Sequence, residues 1–179
     1  MNFKNFILAL VTSSIWGSSF LMIKYSLEEL NPSDIAIYRI LIGALFINIF
    51  VRAKENIIKT DNVKIFIISF FWMALPFYMF GIAEQTITSS LAGLINGSTP
   101  IFVAFIAVIF YKLKVTKIQI LYIFTGFIGV GLISLSEGIS DLSFDIGFIY
   151  ALIASISYGI AVNMAVSYTH LTLPTTGVV

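Results

Sequence analysis

The chain has no cysteine, a single histidine and few charges, Asp, Glu, Lys and Arg together making up 11% of it. Without cysteine there is neither a disulfide nor a thiolate metal site. No His, Asp and Glu gather at one depth, and no nucleophile–histidine pair or phosphate-binding glycine loop is present, so no metal, cofactor or enzymatic role is expected. A net charge of +1 gives no basic field to attract nucleic acid. A soluble domain carries about 25% charged residues. At 59% hydrophobic residues and a mean hydropathy of +1.01, most of this surface must face a solvent other than water. A lipid bilayer is that solvent.

What is present fits it. Six apolar stretches, at about 6–22, 35–51, 65–83, 87–111, 118–135 and 146–165, approach the roughly 20 residues that carry a helix across about 30 Å of hydrocarbon. They are too long and continuous for strands of a soluble sheet, and an outer-membrane barrel would show about ten-residue alternation instead. The fold class expected is all-α: a polytopic membrane bundle of about six transmembrane helices. A cleaved signal peptide competes for the first stretch. Only Lys4 flanks it and no small-residue cleavage pattern stands out, so a signal anchor is favoured.

Loop charges orient the bundle. Lys4, Arg52, Lys54, Lys59, Lys64, Lys112, Lys114 and Lys117 fall on one side, eight of the ten basic residues. Lys24, Glu28, Glu29, Asp34, Glu84, Glu137, Asp141 and Asp145 fall on the other, and Arg39 lies inside the second helix. The positive-inside rule then makes the amino terminus cytoplasmic.

Two helix starts resemble each other. Ala9-Leu10-Val11-Thr12-Ser13-Ser14-Ile15-Trp16-Gly17 aligns with Ala151-Leu152-Ile153-Ala154-Ser155-Ile156-Ser157-Tyr158-Gly159. Chance likeness between apolar helices is the competing explanation. If the repeat is real, an odd number of helices separates the copies, so the second enters the membrane from the opposite side. Inverted repeats of this kind mark secondary transporters.

After Ala165 the character changes. None of the 31 isoleucines lies beyond Ile160, and four threonines crowd into 169–176. Val166-Ser167-Tyr168-Thr169-His170-Leu171-Thr172-Leu173-Pro174-Thr175 resembles one frame of a transposase-type sequencing adapter; a natural polar helix end is the alternative. On the adapter reading, His170 has no functional role and the sixth helix is cut off.

Polar groups at membrane depth are costly unless paired or facing water, so they are the remaining clues. In the fourth helix, Asn96-Gly97-Ser98-Thr99-Pro100 interrupts an apolar run. Pro100 lacks an N–H and clashes with the Asn96 carbonyl, which predicts a kink. Such a kink forms either a polar binding patch or a bend satisfied by its own hydroxyls. Ser89, Gly93 and Gly97 form a small-residue stripe suited to packing. In the first helix, Thr12, Ser13, Ser14, Ser18 and Ser19 are helix-interface material, while Trp16 lies too deep for an interfacial belt and suits a cavity wall. Arg39 has two readings: a snorkelling stem reaching the outer interface, or a bidentate anion contact in a central cavity. Glu84, beside Gln85 and Thr86, is favoured as a solvated loop carboxylate over a proton-coupling site. Trp72, Pro76, Phe77 and Tyr78 are core or lipid-facing unless a proline kink opens a pocket.

Together these features resemble the EamA-type family of the drug/metabolite transporter superfamily. The matching residues are Trp16-Gly17-Ser18-Ser19-Phe20, Pro32 with Arg39, and Ser89-Ser90-Leu91-Ala92 followed by Pro100-Ile101-Phe102. Gln119, Gly126 and Gly129-Val130-Gly131 fit its closing pattern, and Gly147, Ala151-Leu152, Ala154 and Tyr158-Gly159 the opening of its second repeat. The resemblance covers residues 5–165. It implies a ten-helix carrier of two inverted five-helix repeats, moving small metabolites such as amino acids across the inner or plasma membrane by alternating access. Residues 1–137 would be the first repeat, 146–165 the start of a truncated second, and 166–179 a non-native tail. Trp16, Arg39, Asn96, Thr99 and Pro100 would contact substrate, with Glu84 the candidate for coupling. The partners implied are a small-molecule substrate and lipid, and a homodimer is an arrangement open to it. The family often has a glutamate where Lys112-Leu113-Lys114 stands, and an apolar residue where Glu84 stands. A non-transporting scaffold is the rival function. A half-carrier is expected to be unstable or inert alone. A long sequencing read of the native gene across codon 165 should continue into about four more apolar segments; a stop near codon 179 would make the tail natural and remove the ten-helix expectation.

Overall fold

The computed structural model describes residues 2–50, 62–112, 116–136 and 145–172. Among them all regular structure is helical. The helices are α1 (Phe3–Ser26), α2 (Pro32–Phe50), α3 (Asn62–Ala83), α4 (Ser89–Tyr111), α5 (Lys117–Ser136) and α6 (Ile146–Thr172). Five of these, α1 to α4 and α6, are long and apolar enough to cross a membrane. α5 has 20 residues, a length of about 30 Å, which is also that of a span. The chain is a multi-pass membrane bundle. Arg52, Lys54, Lys59, Lys114, Glu137, Asp141 and residues 173–179 lie outside the described residues, as does the side chain of His170.

Helix ends differ from the sequence expectation in a consistent way. α1 begins at Phe3 and runs to Ser26, beyond the apolar stretch 6–22, because polar residues extend a helix into the interface where hydropathy falls but backbone pairing continues. α6 runs through residue 166 to Thr172 without interruption.

Two helices are irregular within the span. α3 contains a π-helical turn at Phe70–Ala74, followed at once by Pro76. A π turn shifts the pairing register and proline supplies no N–H, so main-chain carbonyls lose partners there. α4 stops at Gly97, turns at Ser98 and restarts at Thr99 with Pro100 in its first turn. This is the kink expected from the sequence. The carbonyl caught there by a neighbouring helix is Ile95, one residue before the one Pro100 opposes.

α6 answers both breaks. Ser157 Oγ donates to Phe71 O at 2.7 Å, inside the π turn, and Ser155 Oγ donates to Ile95 O at 3.1 Å, where Ser98 Oγ also donates at 2.5 Å. Asn163 Nδ2 donates to Val103 O at 3.0 Å and to Gly159 O at 2.8 Å. The approach is close because α6 is small on this face. Ala151, Ala154 and Ala161 are wholly buried. A Cβ on Gly159 would sit 3.1 Å from the Phe102 carbonyl carbon, so only glycine lets the two backbones meet here. α6 is thereby wedged between the second halves of α3 and α4.

The remaining core joins the outer ends of the helices. Phe20 and Ile23 of α1, Ile35 of α2, Phe80 of α3 and Leu91 and Ile95 of α4 cluster with Phe148 of α6. Phe20 and Phe80 meet edge to face at 5.2 Å. α1 and α2 otherwise keep long apolar side chains such as Leu41, Leu45 and Ile49 on the outside, as lipid permits. The stripe expected on α4 divides. Gly93 packs at 3.6 Å, measured from an added Cβ, on Phe20, whereas Gly97 has no neighbour within 4 Å. In α1, Thr12, Ser18 and Ser19 bond their own backbone at Leu8, Ile15 and Trp16 rather than a partner helix.

Replacing Ser157 with alanine leaves the Phe71 carbonyl without its donor. We expect Ser157→Ala to lower stability in detergent by about 0.6–1.7 kcal/mol, the range for interhelical hydrogen bonds in bilayers. An unfolding titration that returns wild-type stability would remove this bond from the account.

Candidate functional site

Three cavities adjoin one another along the bundle. The central one, about 480 Å³, is lined by Trp16, Ser19, Arg39, Trp72, Phe77 and Tyr158 among others. A second, about 310 Å³, shares Trp16, Trp72 and Tyr158 and adds Asn96, Gly97, Thr99 and Pro100. A third, about 420 Å³, lies on the other side of Arg39, sharing Arg39, Met73 and Phe77 and reaching Ser26 and Leu30 at the α1–α2 turn. Each is of the size of small-molecule sites, about 300–1,000 Å³.

Local structure explains who faces these cavities. The break at Ser98 and Pro100 opens α4, so Asn96, Gly97, Thr99 and Pro100 line the second cavity rather than packing on a helix. Thr99 Oγ1 is buried without a partner among the described residues, since the Ile95 carbonyl it would ordinarily reach already accepts from Ser98 and Ser155. In α6 the residue between two packing positions turns to the cavity: Ser157 holds Phe71, Gly159 meets Phe102, and Tyr158 lines both inner cavities. Arg39 is half-buried, with its guanidinium carbon 4.2 Å from the centre of the Phe77 ring, a cation–π contact. It is about 10 Å along α2 from Pro32.

The structure therefore brings Trp16 and Arg39 to one cavity, and Trp16, Asn96, Thr99 and Pro100 to its neighbour. Glu84 stands apart from both linings, and its environment is not the expected one. It is wholly buried, not a solvated loop carboxylate. The tight turn between α3 and α4 tucks it beneath the start of α4, where Ser89 Oγ donates to its Oε2 at 2.9 Å and its Oε1 has no partner. Lys24 Nζ donates to the main-chain oxygens of Glu84 and Ile87, at 2.5 and 3.2 Å, closing the turn. Thr86 Oγ1 donates to Asp145 Oδ1 at 2.5 Å, tying the turn to the start of α6. Glu84 lies in this turn, outside the spans, and burial pushes its carboxyl up to about 7, against the opposing pull of Ser89, Lys24 and Arg39.

Trp72 and Phe77 line the central cavity, the alternative that the proline of α3 left open in the sequence. Sequence reasoning missed Tyr158 as a cavity residue and Ser155, Ser157 and Asn163 as the bundle's polar ties. Polar residues within an apolar helix were the available signal for the last three.

Residues 4–135 match the model of the EamA-like transporter family. The chain belongs to the EamA-like transporter family. A protein of Archaeoglobus fulgidus described as an uncharacterized transporter is 29% identical over 131 residues, covering 73% of this chain and 48% of that protein. The uncharacterized transporter YdfC of Bacillus subtilis is 28% identical over 149 residues, 82% of this chain and 48% of YdfC. An uncharacterized transporter of Buchnera aphidicola is 30% identical over 117 residues, 63% of this chain and 38% of that protein. No solved structure matches the chain. This EamA-family chain spans about half the length of these curated relatives, 48% of each of the first two.

The raised Glu84 carboxyl has a sign that can be checked. The folded state holds the proton more tightly than the unfolded chain, whose carboxyl titrates near 4.5. Stability should therefore fall as pH rises from about 4.5 to about 7, then level off. Thermal melts across this range should show that decline in the native chain and lose it in Glu84→Gln; an identical profile in both would mean that Glu84 is not the group responsible.

Proposed function

We propose that this protein is a secondary transporter that moves a small metabolite, of the amino-acid kind, across the inner or plasma membrane. Its amino terminus is cytoplasmic, and the row of cavities walled by Trp16, Arg39, Asn96, Thr99 and Pro100 is the solute route, used by alternating access. The observation carrying this is the three adjoining cavities, which set a guanidinium, an amide and hydroxyls at membrane depth where hydrocarbon-facing helices need none. Family membership supports the class of activity. The broken α4 supports the location, because interrupted helices are where transporters expose main-chain and side-chain polar groups to a solute.

The test is a thermal-stability screen of the purified chain against amino acids, organic acids, amines and sugars. A solute that binds the fold stabilises it by about 2.7 kcal/mol at a hundred times its Kd. One class should raise the melting temperature saturably, and Trp16→Ala and Asn96→Ala should each weaken that response. A well-folded chain that responds to no class would favour a scaffold role.

A further inference from the structure

Among the described residues, Arg39 is the only charged side chain in the walls of the three cavities, and it lines both the central and the third. One face of its guanidinium rests on Phe77 at 4.2 Å. Among the described residues it forms no ion pair and donates no hydrogen bond. A ring stacked on the face of a guanidinium leaves its N–H edges free to accept a carboxylate in the bidentate manner.

Of the described groups of opposite sign at this end of the bundle, Glu28 and Glu29 are exposed at the α1–α2 turn, and the other three are engaged elsewhere. Glu84 accepts from Ser89, Asp145 accepts from Thr86 and from the Gly147 N–H at 2.9 Å, and Asp34 sits in the first turn of α2 with Asn31 at 3.4 Å. The other cation, Lys24, is turned to the carbonyls of Glu84 and Ile87. A half-buried cation with aromatic walls and no counter-ion is costly in a low-dielectric site, and an anionic ligand removes that cost. A neutral or cationic solute does not.

We propose that the central cavity binds a carboxylate-bearing small molecule, its carboxylate on Arg39 and its apolar body against Trp16 and Trp72. This rests on the reading of the cavities as a solute route.

The chain reports on its own cavity, because both of its tryptophans, Trp16 and Trp72, line it. Tryptophan emission of the purified full chain is titrated with hydrocinnamate and with the alcohol and the amine that share its phenylpropyl body. We expect saturable quenching by the carboxylate and at least about tenfold weaker binding of the other two. Arg39→Lys, which keeps the charge but loses the planar fork, should weaken carboxylate binding by about tenfold. Equal binding of alcohol and carboxylate, or an Arg39→Lys variant of native helix content and native affinity, would overturn the anion site. So would binding of none of the three probes while another solute class stabilises the fold, an outcome that leaves the transport reading standing. Silence in both fluorescence and thermal shift would sink both.

Discussion

The structure depends on finding donors for main-chain carbonyls in a medium without water. A regular helix pairs its own backbone, so a lipid-embedded bundle of regular helices needs no help. α3 and α4 are not regular: one has a π turn and a proline, the other a break at Ser98 and a proline. α6 supplies Ser157 to the first and Ser155 to the second, and Asn163 adds a bond to α4 further along. Alanine and glycine on the same face let its backbone come near enough for these short side chains to reach. The irregularities and the helix that covers them form one unit. α6 is accordingly the most buried of the candidate spans, although it lies after the part of the chain matched by the family model.

That unit also makes the cavity. The break in α4 puts Asn96, Gly97, Thr99 and Pro100 in the wall of the second cavity, and Trp72 and Met73 of the π turn line the central one. Trp16, Trp72 and Tyr158 wall the opening and Arg39 closes its outer side. Consecutive residues of α6 thus have opposite duties, Ser157 and Gly159 joining the helices while Tyr158 faces the space between them. At the end of the bundle that holds the α3–α4 turn, Lys24 and the Ser89–Glu84 bond fix that turn, with the Glu84 side chain buried inside it.

Particular residues show how much of the site was legible. Asn96, Thr99 and Pro100 stood out because a proline preceded by polar residues in an apolar run has few structural outcomes, and a break lined by their side chains is one. Trp16 stood out by depth. Arg39 was left with two readings because the reach of a long stem cannot be judged until the ring beneath it, Phe77, is known. Glu84 was misread: a carboxylate two residues from a threonine at a helix end has the local pattern of a solvated turn, and of the partners that enclose it, Ser89 and Lys24, only Ser89 is near in sequence. The matching segments at 9–17 and 151–159 diverge for a similar reason. Ala151, Ser155 and Gly159 are buried between α3 and α4, whereas Ala9, Ser13 and Gly17 are exposed on α1, whose main contact is the first half of α4.

The sequence by itself determined the solvent, the helix count and the place of the break in α4, because hydropathy, length and the missing proline N–H act locally and need no partner. Only the tertiary structure decided which carbonyls α6 would cover, that Tyr158 and Trp72 would share a cavity with Arg39, and that Glu84 would be cut off from water. Those outcomes depend on which faces of separate helices meet. In an apolar span nearly every face is hydrophobic, so the sequence carries little record of that choice.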